Sequence, residues 1–155
     1  MSEELFSGTR SDLSFAIIQD QVFDVGLNYA KSGYDFDEDN ADWLVLPKYR
    51  MPDNWRFGGR YNPILIMFPT EYPTLPPVGF YLPDWIRASP NGHLYRDAYH
   101  KASERPLAKG WQWYCVYVND GAWLPAKVRN KDDWRRGDNL WTYMQLIDEA
   151  LASLD

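Results

Sequence analysis

The fold is decided by one stretch of the 155-residue chain, Phe68-Pro-Thr-Glu-Tyr-Pro-Thr-Leu-Pro-Pro-Val-Gly-Phe80. Its four prolines, at positions 69, 73, 76 and 77, fix φ at about −65° and have no backbone N–H to donate to a hydrogen bond. They therefore exclude a helix and a central strand. We therefore expect a rigid, extended loop held in place by the ring of Tyr72. Apolar runs on both sides, over residues 62–68 and 78–82, predict the two strands that this loop connects.

The segments around this loop predict further strands. Residues 41–46 predict a strand that ends at Pro47, and the aromatic residues 111–118 predict another. Directly before the first of these strands, the acidic, turn-prone residues 34–40 predict a loop. The first 30 residues leave two alternatives open, because Ser11-Asp12 can cap a short helix while the Val, Ile and Phe content also suits a strand.

The C-terminal residues predict a helix with one apolar face, capped by Asp138 and ending near Leu154. The apolar residues at helical spacing are Leu140, Tyr143, Met144, Ile147, Leu151 and Leu154. Antiparallel strands followed by a helix are the pattern of an α+β fold, and the length predicts a single domain over residues 1–155.

The composition excludes several classes of protein. A net charge of −6 argues against a nucleic-acid-binding protein that relies on general positive charge. No apolar run reaches the roughly 20 residues of a membrane span, and the acidic N-terminus is unlike a signal peptide, so we expect a cytoplasmic protein. The single cysteine excludes an internal disulfide framework and a metal site built from several cysteines.

That cysteine begins a second motif, Cys-x7-Trp-x-Pro, formed by Cys115, Trp123 and Pro125. Together with the proline-rich stretch and the upstream Phe57-Gly-Gly-Arg60, it resembles the ubiquitin-conjugating (E2) enzymes, over roughly residues 41–154. The E2 family carries an FPxxYPxxPP element between two strands and a thioester cysteine at this spacing from Trp-x-Pro.

The resemblance implies a UBC-like fold, in which an antiparallel meander of about four strands has a C-terminal helix packed across it. It also implies that Cys115 accepts a ubiquitin-like protein as a thioester from an E1-like activating enzyme and passes it to an amine on a target protein. No metal or other cofactor is implied, since ATP is consumed by the E1. Neither nucleic acid nor a membrane is an expected partner.

The chain departs from the common E2 pattern at one important position. E2 enzymes carry His-Pro-Asn eight to ten residues before the cysteine, whereas here the nearest equivalent is Ser89-Pro90-Asn91, and Asn91 lies 24 positions before Cys115. Only one C-terminal helix is predicted, so the fold is expected to be truncated. These departures are similar to those of divergent bacterial E2-like families from conjugation systems linked to antiphage defence.

Each candidate catalytic residue has a structural alternative. Cys115, among aromatic residues, is either the nucleophile or a buried core cysteine. His93, more than His100, would orient or deprotonate the incoming amine, or is a solvated loop histidine. Asn91 would donate an oxyanion-type hydrogen bond, and Asp120 would polarise the amine, but both also suit simple turns.

The candidate binding residues are Trp123, Pro125 and Tyr72, which would wall the site or serve the core. The basic residues between positions 127 and 136 would meet an acidic partner or form a solvated loop. Two functions remain open: an E2-like carrier, or a catalytically inactive E2-variant or RWD-like module that acts only by binding proteins.

Overall fold

The computed structural model describes residues 10–29, 33–51, 60–77, 79–83, 110–114, 123–127 and 131–152. Its first element is a long helix, α1 (Asp12–Tyr29). Ser11 caps this helix, because its Oγ accepts a hydrogen bond from the Ser14 N–H at 3.0 Å. The helical alternative for the first 30 residues is therefore confirmed, and the helix, at 18 residues, is longer than the short helix that the sequence predicts.

The described strands form one antiparallel sheet in chain order. The strands are β1 (Asp35–Phe36), β2 (Trp43–Arg50), β3 (Tyr61–Met67), β4 (Phe80–Pro83) and β5 (Trp111–Tyr114). Each strand pairs with its neighbours in sequence, as in a meander. The predicted α+β pattern, with about four antiparallel strands, is confirmed at this level, with the two-residue β1 as an addition.

Two strand predictions need correction. The strand after Ala41 does not end at Pro47 but continues to Arg50, with a shift of register between Leu46 and Tyr49. Pro47 is exposed inside this irregular segment, where its missing N–H costs no ladder hydrogen bond. The predicted loop over residues 34–40 also contains β1, in which Phe36 pairs with Leu44.

The two faces of the sheet have different neighbours. Alternation along the strands turns Leu44, Leu46, Ile64 and Ile66 towards the main core, which they share with both helices. The opposite face carries a smaller buried cluster of Leu65, Met67 and Tyr81. Both helices are therefore attached to the same face of the sheet.

The second helix, α2 (Leu140–Ala152), follows a short 3₁₀ helix (Lys131–Arg136). The predicted apolar face is confirmed, with Leu140, Tyr143, Met144, Ile147 and Leu151 fully buried, while Leu154 lies outside the described residues. The predicted cap is wrong by one residue, because Oδ1 of Asn139 accepts the Trp141 N–H at 2.8 Å. No helix in the described ranges is long and apolar enough to cross a membrane.

The proline-rich loop is compact rather than extended. The Tyr72 N–H donates to the Pro69 carbonyl at 3.0 Å, and the Thr74 N–H donates to the Glu71 carbonyl at 2.9 Å, so the loop folds into successive turns. The Tyr72–Pro73 peptide bond is cis. The predicted role of Tyr72 as the anchor is confirmed, since its side chain is 1% exposed and lies edge-on to Phe68.

Candidate functional site

The two sequence motifs meet at Trp123. Its indole Nε1–H donates to the Pro73 carbonyl at 2.9 Å, although the residues are 50 positions apart. The Trp123 ring also lies between two tyrosine rings, 6.2 Å from Tyr72 and 6.3 Å from Tyr143. These separations suit offset or edge contacts between aromatic rings. The proline-rich loop, the Trp-x-Pro segment and α2 therefore share one aromatic junction.

Tyr72 joins this junction to both helices. Its hydroxyl donates to Oε1 of Gln21 on α1, and the same oxygen accepts the Leu140 N–H at 2.8 Å. Burial raises the pKa of the Tyr72 hydroxyl well above its ordinary value, and the hydrogen bond to Gln21 only partly offsets this effect. The phenol is therefore a neutral donor near pH 7, and its role is to hold the loop in position.

The Trp-x-Pro segment is held from its other side by the turn before α2. The Leu124 N–H donates to Oδ2 of Asp138 at 2.7 Å, and the Asp138 N–H donates to the Leu124 carbonyl at 2.9 Å. The turn also lies very close to this segment at Gly137, because a Cβ at that position would be only 2.3 Å from the Ala126 nitrogen. Asp138 thus fixes the Trp-x-Pro segment, which explains why the helix cap falls to Asn139.

Arg10 holds the start of the proline-rich loop. Its guanidinium donates to the Phe68 and Pro69 carbonyls at 3.0 and 2.8 Å and pairs with Asp42 at 3.0 Å. The Arg10 side chain is only 6% exposed. A planar guanidinium with several donors can satisfy these diverging acceptors, which an ammonium group cannot.

A cleft of about 590 Å³ opens where these segments converge. One wall is the first part of α1, the second is the turn at residues 70–74, and the third is the segment Pro125–Lys127. The polar and charged residues of its lining are Ser11, Ser14, Thr70, Glu71, Thr74 and Lys127. The described residues contain no cluster of His, Cys, Asp or Glu that suits a metal ion.

Part of the basic segment is used inside the molecule. Arg135 pairs with Asp24 at 2.8 Å and lies over the Trp134 ring, whose Nε1–H donates to Asp20 at 2.7 Å. Both aspartates belong to α1, so the 3₁₀ helix is attached to that helix. For Arg135, both predicted alternatives, contact with an acidic partner and a solvated loop, miss this role within the fold.

The structure places only part of the predicted site. Tyr72 is buried and Trp123 and Pro125 are half-buried, and all three lie at or beside the cleft. The candidate catalytic residues Cys115, Asn91, His93 and Asp120 lie outside the described residues, as does His100. Tyr114, which precedes the cysteine in sequence, pairs with Phe80 at the end of the proline-rich motif.

Two residues that organise the site, Arg10 and Gln21, are not among the residues that the sequence predicts. Gln21 could have been found, because it lies among apolar positions on the inward face of α1, where a polar side chain needs a buried partner. Arg10 gives no comparable signal, since its acceptors are backbone carbonyls that become neighbours only in the fold.

Comparisons with protein-family models, with curated proteins and with solved structures gave no match for this chain.

Proposed function

We propose that the protein is an E2-like conjugating enzyme that carries a ubiquitin-like protein as a thioester on Cys115. The observation that carries this proposal is the hydrogen bond from Trp123 to Pro73, together with the packing of Trp123 against Tyr72. The two motifs behind the E2 resemblance are distant in sequence, and a chance resemblance gives no reason for them to be in contact.

The local geometry near the described end of β5 also supports the proposal. The last described residue of β5 is Tyr114, which precedes Cys115 in sequence and pairs with Phe80, the residue that closes the proline-rich motif. The Trp-x-Pro segment that follows the cysteine is fixed by Asp138 and by Pro73. The described segments nearest to Cys115 in sequence are therefore held by hydrogen bonds, as is expected around a nucleophile that must be presented in one geometry.

The proposed chemistry has two acyl transfers. The Cys115 thiolate attacks the carbonyl of the E1 thioester, the new C–S bond forms, and the E1 thiolate leaves. An amine then attacks the Cys115 thioester, loses a proton and forms an amide, and the Cys115 thiolate is released. Thioester exchange is nearly balanced in free energy, so modest activation of the thiol is enough.

The proposed partners are an E1-like activating enzyme, a ubiquitin-like protein and a target protein, in a cytoplasmic bacterial conjugation system of the kind linked to antiphage defence. In this proposal the protein uses no metal or organic cofactor. Asn91, His93 and Asp120 are proposed auxiliary groups for the second transfer, and the Asn91→Ala, His93→Ala and Asp120→Ala variants test them individually.

The decisive experiment is thioester formation. The protein is incubated with ATP and with the E1-like enzyme and ubiquitin-like protein of the same organism, and the products are separated on non-reducing gels. We expect an adduct that thiols cleave, that is absent from Cys115→Ala, and that becomes a thiol-resistant ester in Cys115→Ser. The exposed Lys48→Ala variant, which lies outside both motifs and the cleft, is a control that should keep the adduct.

Normal binding to the E1 without any adduct would overturn the proposal. That result would instead favour the second candidate, an inactive E2-variant or RWD-like binding module. One observation supports this second candidate: the Tyr72 ring is fully buried and Trp123 contacts the core, so both motifs would be needed to maintain the fold even without chemistry. The absence of His-Pro-Asn before the cysteine agrees with it.

A further inference from the structure

A second concave surface lies between α1 and β1, away from the cleft at the proline-rich loop. This α1–β1 groove has a volume of about 470 Å³. Val22, Tyr34 and Phe36 form its apolar part, and Asp35 and Glu38 supply carboxylates at its polar part. None of the described residues that line it belongs to the two E2-like motifs.

The groove is built into the fold by a close contact. A Cβ at position 26 would lie 2.3 Å from Cδ1 of Tyr34, so the Tyr34 ring rests directly on the helix backbone at Gly26. Glycine inside a helix costs about 1 kcal/mol relative to alanine. Here it allows Tyr34 to pack against α1 and form one wall of the groove.

Beside the groove, α1 exposes two large apolar side chains. Phe23 is 54% exposed and lines the groove, and Leu27 is 63% exposed. They are four residues apart and therefore neighbours on one side of the helix. Ile18 and Val25 on the same helix are fully buried, so the exposed pair forms a second apolar surface separate from the core.

The carboxylates at the groove, on Asp35 and Glu38, have no ion-pair partner among the residues that the structure describes, and both residues are exposed. Asp20 and Asp24 on α1 differ in this respect, because Trp134 donates a hydrogen bond to Asp20 and Arg135 pairs with Asp24. The groove therefore offers two negative charges next to aromatic rings.

We propose that the α1–β1 groove binds a basic, apolar segment of a partner protein. A Lys or Arg side chain would lie against Tyr34 and Phe36 and pair with Asp35 and Glu38, since aromatic faces and carboxylates both attract cations. An apolar residue of the same segment would cover Phe23 and Leu27. Charge complementarity favours this occupant over a second copy of the chain, because the groove is acidic and the chain itself carries a net charge of −6.

The chain's own N-terminal residues are a poor occupant. Residues 1–9 contain Glu3 and Glu4 and no basic residue, so they carry the wrong charge for the groove. The proposal goes beyond the carrier function and does not depend on the chemistry of Cys115.

The test uses synthetic peptides with the full-length protein. A labelled amphipathic Leu/Lys peptide is titrated in fluorescence anisotropy, alongside a peptide with every Lys replaced by Glu. We expect only the Lys peptide to bind at about 0.15 M salt and its affinity to fall at higher salt, because exposed charges are screened. Backbone amide shifts measured by NMR should change within residues 19–27 and 34–38.

Two pairs of matched variants test the location. Asp35→Asn/Glu38→Gln should weaken the Lys peptide by about tenfold, whereas Asp12→Asn/Glu149→Gln, with the same change of net charge, should alter binding by less than about twofold. Leu27→Ser should weaken binding by about fivefold, and Leu75→Ser, also at an exposed leucine, should have almost no effect.

Equal binding of the Glu peptide, equal weakening by both neutralised pairs, or shift changes away from the groove would each overturn the proposal. A dimer in analytical ultracentrifugation that Leu27→Ser dissolves would also overturn it, since a second copy would then occupy the surface. All substituted side chains are exposed, and unchanged thermal unfolding confirms that each variant is folded.

Discussion

Replacement of Arg10 by alanine should reveal how strongly the start of the proline-rich loop is held. The guanidinium joins the residue that lies two positions before α1 to the Phe68 and Pro69 carbonyls and to the Asp42 carboxylate, and its side chain is only 6% exposed. Alanine removes all of these donors at once and leaves the acceptors in place.

The expected cost follows from the burial of the groups. Removing one partner of a buried ion pair costs about 3–5 kcal/mol. Asp42 is 27% exposed, so water recovers part of its solvation after the substitution. The lost charge-assisted hydrogen bonds to the two carbonyls act in the same direction, but the contributions of one network do not add. We therefore expect a loss of about 3 kcal/mol in the free energy of unfolding.

Urea unfolding followed by tryptophan fluorescence measures this loss. With a slope of about 2 kcal/mol per molar urea, the midpoint should fall by about 1.5 M. Arg10→Lys should give an intermediate loss, because an ammonium can pair with Asp42 without reaching both carbonyls. Arg135→Ala is the matched control, since its side chain is 52% exposed and its ion pairs should contribute only about 0.5 kcal/mol.

Equal losses for Arg10→Ala and Arg135→Ala would refute this reasoning, because burial would then have no influence on the cost. A large loss for Arg10→Ala with full stability for Arg10→Lys would show that the charge alone matters and that the carbonyl contacts are dispensable.

Three further substitutions test other contacts. Trp123→Phe keeps an aromatic ring but loses the donor to Pro73, so urea unfolding should show a loss of about 1–2 kcal/mol, and an unchanged midpoint would contradict the proposed role of this contact. Because the pKa of Tyr72 is raised by burial, the folded protein keeps a proton that the unfolded chain releases above about pH 10. The free energy of unfolding should therefore fall above that pH by up to about 1.4 kcal/mol per pH unit. Tyr72→Phe should flatten this decline, and equal slopes for the two proteins would contradict the prediction. Asn139→Ala should cost about 1 kcal/mol in thermal unfolding, whereas Asn139→Ser, which keeps an acceptor for the Trp141 N–H, should cost much less.

The parts of the fold that sequence predicts well are those decided by local pattern. The helical spacing from Leu140 to Leu151 is sufficient to predict the buried face of α2, because each turn repeats the same requirement. The prolines after Phe68 likewise exclude regular structure without help from distant residues.

The errors arise where a distant group competes with a local preference. Asp138 is a good cap by composition, but its carboxylate is already bound to the Leu124 N–H, and the cap falls to Asn139. Pro47 normally ends a strand, but an irregularity in the pairing of β2 with β3 lets the strand continue to Arg50. Neither outcome can be derived from residues within a few positions.

The candidate site divides in the same way. Tyr72 and Trp123 are found from motifs because their types and spacings are specific, while their mutual contact is a property of the fold. Gln21 contributes one oxygen to two partners that lie 51 and 119 residues away, a distance over which no sequence pattern operates.

That shared oxygen has a consequence for how the molecule opens. Gln21 on α1 accepts one hydrogen bond from the proline-rich loop and another from the first residue of α2. If any one of these three segments separates, at least one of the two hydrogen bonds is lost. The amides of both helices should therefore exchange with deuterium through one common opening event, with a single free energy, rather than fray independently. In engineering terms, the loop cannot be transplanted into another scaffold without the two helices that complete it.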